Sequence, residues 1–286
     1  MGTVCVEVAV GDDRRLLDAL DSLNAQERLP DRVLIAASTT TPEPLLVAAR
    51  SRLARVPVDT ARFSGGVVDA RAGAIPLLRE DTTAFLDSDE RAPPGWLARI
   101  VAPIESGEAA FVGGPTRPLR PPQNSIERYD ALLEESIYAH LVPQSLAYVP
   151  LQNSAWTTSL LRTLGFDPRI PFAEDHDLET RAARLGARGR FLPDAFVYHD
   201  KSNETSLLRW ARKRYRYLVA MGMSLLKNGR LRRRLDERRP PVHHPLRYLE
   251  AAMKPVALID ASIRWRRVRG TPPLAAPDAP DAVPRR

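Results

Sequence analysis

Residues 3–10 alternate in character: Val4, Val6, Val8 and Val10 fall at every second position, the period of a strand. Leu16, Leu17, Leu20 and Leu23 follow at helical spacing, and Val33-Leu34-Ile35-Ala36-Ala37 is an apolar run of strand length. Strand, helix, strand with no hairpin turn between them predicts a βαβ unit with parallel strands. The alternation continues with a helix over 43–54, a short strand at 56–58, a helix over 69–79 and a strand at Thr83-Ala84-Phe85-Leu86. A helix from Pro94 to Ile104 has proline near its start, where the missing N–H costs nothing. Ala109 to Val112 reads as a strand ended by Gly113-Gly114. Helices are expected at 125–138, at 157–164, and from near Asp175 to Gly186. Short strands are expected at Arg190-Phe191-Leu192 and from Ala195 to Tyr198. From Ser206 the pattern changes to long, basic helical stretches. Residues 271–286 hold five prolines in sixteen and read as a disordered tail.

With 286 residues, 44% of them hydrophobic, the chain can bury a sizeable core. Its one cysteine, Cys5, excludes an intrachain disulfide and a cysteine-based zinc site. No basic-then-apolar signal sequence opens the chain. The expected location is therefore the reducing cytoplasm. The longest charge-free run, Ser136 to Leu161, is broken by Pro143, Gln144, Pro150, Gln152 and Asn153 and reads as loop and strand rather than a spanning helix. The net charge of +7 is unevenly spread: residues 1–208 hold 22 Lys/Arg against 29 Asp/Glu, and residues 209–286 hold 20 against 6. A body of −7 therefore carries an end of +14, which suits an anionic partner.

Four places could carry chemistry. Asp87-Ser88-Asp89 ends an apolar strand, and open parallel sheets bind ligands beyond the carboxyl ends of their strands. Two carboxylates there offer hard oxygen ligands to Mg²⁺ or Mn²⁺; a solvated turn capping the next helix would look the same in sequence. Glu174-Asp175 opens a helix, where the dipole alone favours acids, and where a carboxylate could also take a proton from a substrate hydroxyl. Asp177 is expected to face another side and cap the helix, with Leu178 turned to the core. His199 ends a strand, as a structural residue or as a partner of metal or phosphate. Arg71 lies in a helix preceded by Gly65-Gly66, a place where a phosphate or ribose can approach the backbone.

In order and spacing these segments resemble the inverting family 2 glycosyltransferases of GT-A fold, over roughly residues 3–220. The resemblance rests on Phe85-Leu86-Asp87-Ser88-Asp89, Pro94-Gly95-Trp96-Leu97, Phe111-Val112-Gly113-Gly114-Pro115, Gln152-Asn153-Ser154-Ala155 and Leu164-Gly165-Phe166-Asp167. Its most specific part is Glu174-Asp175-His176-Asp177-Leu178, Arg181, Gly186, Phe191-Leu192-Pro193-Asp194-Ala195 and Val197-Tyr198-His199. It implies an α/β GT-A fold, a mostly parallel central sheet flanked by helices, with a basic helical extension. It implies transfer of a sugar from a nucleotide-sugar to a hydroxyl acceptor, a glycan or a lipid-linked compound. Asp87 and Asp89 would hold the metal, joined by His199, with Arg71 and Ser88 also near the nucleotide-sugar. Asp175 would be the general base, oriented by Glu174. Asn153, Trp156, Arg209 and Trp210 would contact the acceptor. Where many members carry a base-reading Asp pair after the second strand, this chain has Ala36, Ala37, Ser38 and Thr39, and Arg71 is followed by Ala72 rather than asparagine. Trp156 is followed by Thr157 and Thr158 rather than by basic residues, which suggests a less anionic acceptor at that point. The rival readings are a sugar nucleotidyltransferase, for which Val10-Gly11-Asp12-Asp13 lacks the Gly-rich, basic signature, and a binding module without catalysis.

The expected division is a catalytic domain over 1–205, a basic amphipathic extension over 206–270 and the tail over 271–286. Arg209, Arg212, Lys213 and Arg216 share a helical face, interleaved with Trp210, Tyr215 and Tyr217, and Arg230, Arg232, Arg233 and Arg234 follow. The face is expected to dock on an anionic membrane from the cytoplasmic side, or to be a solvated or packed surface. No nucleic-acid module is seen, and nucleic acid is not an expected partner. Leu246, Leu249, Met253, Val256, Ile263 and Trp265 form a second amphipathic stretch, kinked or started at Pro255 and interrupted on its apolar face by Asp260.

Overall fold

A computed structural model of the chain describes residues 2–139, 149–167, 169–170, 172–203, 205–229 and 243–270. The tail over 271–286 and Arg230 to Arg234 lie outside the described residues. The first half alternates as its periodicity predicts: β1 (Val4–Val10), α1 (Leu16–Asn24), β2 (Arg32–Ala37), α2 (Glu43–Arg50), β3 (Val58–Arg62), α3 (Val67–Ala74), β4 (Thr82–Leu86), β5 (Glu90–Arg91), α4 (Trp96–Glu105). Then come β6 (Phe111–Gly113), β7 (Thr116–Pro118), α5 (Ser125–Tyr138), β8 (Asn153–Thr157), α6 (Thr158–Leu164), α7 (Glu174–Arg184), β9 (Gly189–Phe191) and β10 (Val197–His199). Two long helices follow, α8 (Leu207–Asn228) and α9 (Pro245–Val268).

Seven strands make the central sheet in the order β3-β2-β1-β4-β8-β6-β9. β8 runs antiparallel to β4 and β6, and the other pairings are parallel. Both faces are covered. One carries Val6, Val8, Ile35 and Leu86 with α1 and α4, the other Leu34, Phe85, Phe111 and Trp156 with α3 and α7. This is the mostly parallel, helix-flanked sheet that the pattern implies. Several bounds shift, the helix expected over 43–54 ending at Arg50 and that over 69–79 running from Val67 to Ala74. The short strand at 56–58 is displaced to Val58–Arg62, and the segment around Asn153 is a central strand rather than an acceptor loop, pairing Asn153 with Leu86 and Ser154 with Gly113.

A second, three-stranded sheet, β5-β10-β7, sits beside the strand ends. It pairs His199 with Glu90, and the Asp200 amide donates to the Asp89 carbonyl at 2.9 Å, so residues 109 and 111 positions apart in sequence are brought together. Gly114 makes this crossing possible: a Cβ there would stand 1.8 Å from the Ala195 carbonyl oxygen.

α8 and α9 pack on each other through Val219, Met223, Ala257 and Ala261. A Cβ on Gly222 would meet the Ala261 methyl at 2.7 Å, so the two backbones approach closely there. α9 starts at Pro245, capped by the His244 side chain, and continues through Pro255 rather than starting there. Asp260 does not interrupt a buried apolar face: it accepts from Tyr215 and Arg264. The pair is bound to the body, since Trp210 packs on Tyr129 and the Tyr129 hydroxyl donates to Glu250 at 2.6 Å.

Candidate active site

Beyond the ends of β1 and β4 lies a cavity of about 470 Å³. Arg71, Asp87, Asp89, Glu174, Asp175 and His199 all line it, brought from α3, the β4–β5 turn, α7 and β10. His199 Nε2 stands 3.3 Å from Asp89 Oδ2. Arg15, at the start of α1, donates to Asp13, to Asp89 at 3.4 Å and to the Asp200 carbonyl. Burial works against ionising Asp89, but His199 and Arg15 outweigh it and hold the carboxyl at about 2. The His199 Nδ1 is buried without a hydrogen-bond partner.

Asp87 is placed differently. Its Oδ1 accepts from Arg71 Nη2 at 2.6 Å, and the Arg71 Nε reaches Glu7 Oε2 at 3.3 Å. The Glu7 and Arg71 side chains are 1% and 6% exposed and Asp87 is 35% exposed, so a buried ion pair reaches up to a carboxylate at the cavity wall. Burial pushes Glu7 up to about 7, against the pull of Arg71.

Across the cavity, α7 presents Glu174 and Asp175 at its first turn. Asp175 is buried, and its Oδ1 accepts from the His176 amide at 2.7 Å. Burial, with the Asp175 charge beside it, raises Glu174 to about 7 although Arg71 pulls the other way. One Glu174 oxygen, Oε2, is buried without a partner.

A model of the family described as "Glycosyl transferase family group 2" matches residues 83–267. The chain belongs to this family. Over 159 residues it is 33% identical to the pre-mycofactocin glycosyltransferase of Mycobacterium tuberculosis, strain H37Rv, a match covering 53% of the chain and 33% of that relative. The matched part therefore spans about a third of the relative's length. Among solved structures it is similar to the mannosyltransferase PcManGT from Pyrobaculum calidifontis in complex with GDP-Man and Mn²⁺. That match has a TM-score of 0.58 and 20% identity, over 96% of this chain and 77% of the other. It is also similar to glucosyl-3-phosphoglycerate synthase from Mycobacterium tuberculosis in complex with Mn²⁺, UDP and phosphoglyceric acid (TM-score 0.55, 19% identity, 80% of this chain and 79% of the other). The fold of this family 2 chain is GT-A, with the C-terminal helices as its extension.

Several sequence-predicted site residues of the family 2 chain lie elsewhere. Trp156 is fully buried, stacked on Phe111 at 4.4 Å, with its Nε1 donating to Ser154 Oγ. Asn153 is fully buried as well: it accepts from Trp96 Nε1 and donates to the carbonyls of Pro115 and Ala195. Trp210 is 2% exposed and donates to Asp130. All three are internal struts, because their polar atoms are spent on protein partners. Asp177 does not cap α7 but is an ion-pair hub, accepting from Arg181, Lys227 and Asn228 and so tying α7 to α8. The Gly66 amide donates to Asp69 Oδ2 at 2.8 Å, so it is occupied rather than offered to a phosphate. Ser88 lies in the turn between Asp87 and Asp89 and is not among the residues lining the cavity. Arg209, Arg212, Lys213 and Arg216 do share a face, but it borders a groove next to this cavity.

Arg15 and Lys213 are cavity residues that sequence reasoning did not assign to the catalytic centre. Arg15 had no motif to mark it. Lys213 belonged to a face read as membrane-directed, and only the position of α8 turns it toward Asp89.

Proposed function

We propose that the chain is a metal-dependent, inverting glycosyltransferase that moves a sugar from a nucleotide-sugar donor to a hydroxyl acceptor. The observation that supports this most is one cavity with two chemically different walls, Asp89 with His199 on one and Glu174 with Asp175 on the other. The solved relatives bound to GDP-Man or to UDP with Mn²⁺ agree with it in fold.

The donor set fits a divalent ion in part. Among the described residues no group of three or more His, Cys, Asp and Glu is gathered closely enough to enclose an ion. A carboxylate and an imidazole, Asp89 and His199, are gathered, and ions that keep substrate phosphates as ligands need only one or two protein donors. An ion held there by Asp89 and His199 would neutralise charge on a departing diphosphate. Asp87 serves instead by holding Arg71, and Arg15 adds positive charge at the same wall. Asp175 takes the proton of the acceptor hydroxyl, and Glu174, neutral below about pH 7, keeps a proton to donate in orienting the acceptor. Attack from the face opposite the leaving group inverts the anomeric centre. A thermal-shift screen of nucleotide-sugars with and without Mn²⁺ tests the reading. A ligand at 100-fold its dissociation constant stabilises by about 2.7 kcal/mol, and no stabilisation by any donor would overturn it.

Asp89→Ala is expected to abolish metal-dependent nucleotide binding while the fold persists, because Asp89 borders the cavity rather than the core. Calorimetric titration of a nucleoside diphosphate with Mn²⁺ checks this. Undiminished turnover in excess chelator would contradict metal dependence.

The catalytic domain is assigned to 1–205 and the extension to 206–270. The extension's membrane-directed face belongs to α9 in this reading. Tyr248, Val256, Ile259 and Ile263 are 76%, 57%, 63% and 46% exposed. They form one stripe opposite Ala257 and Ala261, which pack on α8. Exposed Arg264, Arg266 and Arg267 lie beside the stripe, the composition of an interfacial helix. No described helix is long and apolar enough to cross a membrane. Co-sedimentation with anionic vesicles is expected at low salt, weakened by high salt and by Ile259→Ser with Ile263→Ser. Equal binding to neutral vesicles, or none at low salt, would refute the docking.

A further inference from the structure

The groove beside the cavity has a volume of about 400 Å³ and is lined by Phe172, Ser206, Leu208, Arg209, Arg212, Lys213 and Arg216. That is the scale of a small-ligand site. Phe172 and Lys213 line the catalytic cavity too, so the two spaces share a wall. Phe172 is two residues from Glu174, which puts the groove on the side of the acidic pair. It is also the one non-glycine residue with positive φ (71°) among the described residues, and Arg216 stacks over its ring at 4.4 Å. A bulky side chain held in that backbone region is strained, and such strain gathers at ligand clamps.

The charge pattern is more telling. Arg209, Arg212, Lys213 and Arg216 stand at i, i+3, i+4 and i+7 on α8, so like charges repel along one face. Other cations on α8 and α9 are neutralised, Arg214 by Glu250, Lys227 by Asp167 and Asp177, Lys254 by Glu250 and Arg264 by Asp260, with Arg266 and Arg267 exposed at the far end of α9. Among the described residues, Arg209, Arg212 and Arg216 have no carboxylate at ion-pair distance. α8 concentrates these guanidinium groups in a groove that shares Phe172 and Lys213 with the cavity holding Asp175.

We propose that this groove binds a phosphate or carboxylate carried by the acceptor, which makes the acceptor an anionic sugar or sugar-like molecule whose hydroxyl reaches Asp175. The assignment rests on the reading of Asp175 as the base. Guanidinium groups suit the task because their planar forks match both anions in bidentate fashion. It replaces the expectation of a less anionic acceptor at Trp156-Thr157-Thr158, residues that lie in or beside the sheet.

The test is calorimetric titration of the full chain with glucose, glucuronate and glucose 6-phosphate, without nucleotide or metal. Both anionic sugars should bind at least tenfold tighter than glucose, weaken as salt rises, and lose at least tenfold in affinity in an Arg212→Gln/Arg216→Gln variant. The variant's melting curve reports that it is folded. A double variant that still binds the anions, equal affinity for all three sugars, or no binding by any of them overturns the proposal. So does a result in which anionic vesicles, but neither anionic sugar, bind in an Arg212- and Arg216-dependent way, which would make the groove a lipid site. These titrations do not need turnover. Failure of the glycosyltransferase reading would appear separately, as absence of nucleotide-sugar binding in the presence of Mn²⁺.

Discussion

Asp175→Asn lowers turnover by roughly 10²–10⁴-fold, the range for a lost general base, while donor affinity changes little. The amide keeps the shape of the carboxylate and its Oδ1 can still accept from the His176 amide, a bond of 2.7 Å in the native chain. It can no longer take a proton. The two quantities are read separately, donor binding by titration of a nucleoside diphosphate with Mn²⁺ and turnover by sugar transfer to a saturating acceptor. Glu174→Gln is the matched comparison. It keeps a donor toward the cavity and removes the ionisation near pH 7, so its activity should fall less and lose pH dependence in that range. Normal turnover by Asp175→Asn, with Glu174→Gln inactive, would move the base to Glu174.

Arg71→Met destabilises the fold above about pH 7, by roughly 1.4 kcal/mol for each further pH unit, the cost of ionising a buried carboxylate that has lost its partner. The partner is Glu7, in the middle of β1 and 1% exposed, and Asp87 loses its 2.6 Å contact at the same time. The sign of the pH dependence follows from Glu7. Its folded pKa, about 7 with Arg71 present, lies above the unfolded value of 4.5. Without Arg71 it rises further, because the attraction that lowered it is gone. The folded state then binds more protons than the unfolded state above the unfolded pKa, so stability falls as pH rises through that window. The Glu7-linked defect should be small up to pH 7 and reach roughly 1.4 kcal/mol at pH 8, by denaturant titration at pH 5 and pH 8. Glu7→Gln added to Arg71→Met should recover most of the loss, since a neutral amide can stay buried at lower cost. A defect independent of pH, or no rescue, would show that Arg71 acts through packing rather than charge.

Much of this site is legible along the chain because its chemistry sits at the ends of periodic segments. The apolar strand Thr82–Leu86 delivers Asp87 and Asp89, and the helix beginning at Glu174 delivers two acids to its own N-terminus. Both are local facts of sequence, and so are the strands announced by Val4, Val6, Val8 and Val10 and by Val33 to Ala37. Whether a polar or aromatic residue near such a motif faces the ligand is not local. Asn153 and Trp156 follow Gln152 in the chain just as acceptor-binding residues would. Their surroundings are made by Trp96, Pro115, Ala195 and Phe111, residues 38 to 57 positions away for Asn153.

By itself, then, the sequence determined the alternating βαβ order, the acidic pairs and the basic C-terminal end, because periodicity and charge are properties of neighbouring residues. Only the tertiary structure decided that Arg71 neutralises buried Glu7, and that Arg15 and His199 converge on Asp89 from opposite ends of the catalytic domain. It also decided which faces of the last two helices are free. The amphipathic spacing of α9 does not say which face packs: contact with α8 runs through Ala257 and Ala261 opposite Gly222, and Val256, Ile259 and Ile263 are exposed. Small residues let two helix backbones approach closely, so which face packs depended on the shape of the partner helix, and counting hydrophobic side chains along one helix carries no information about that shape.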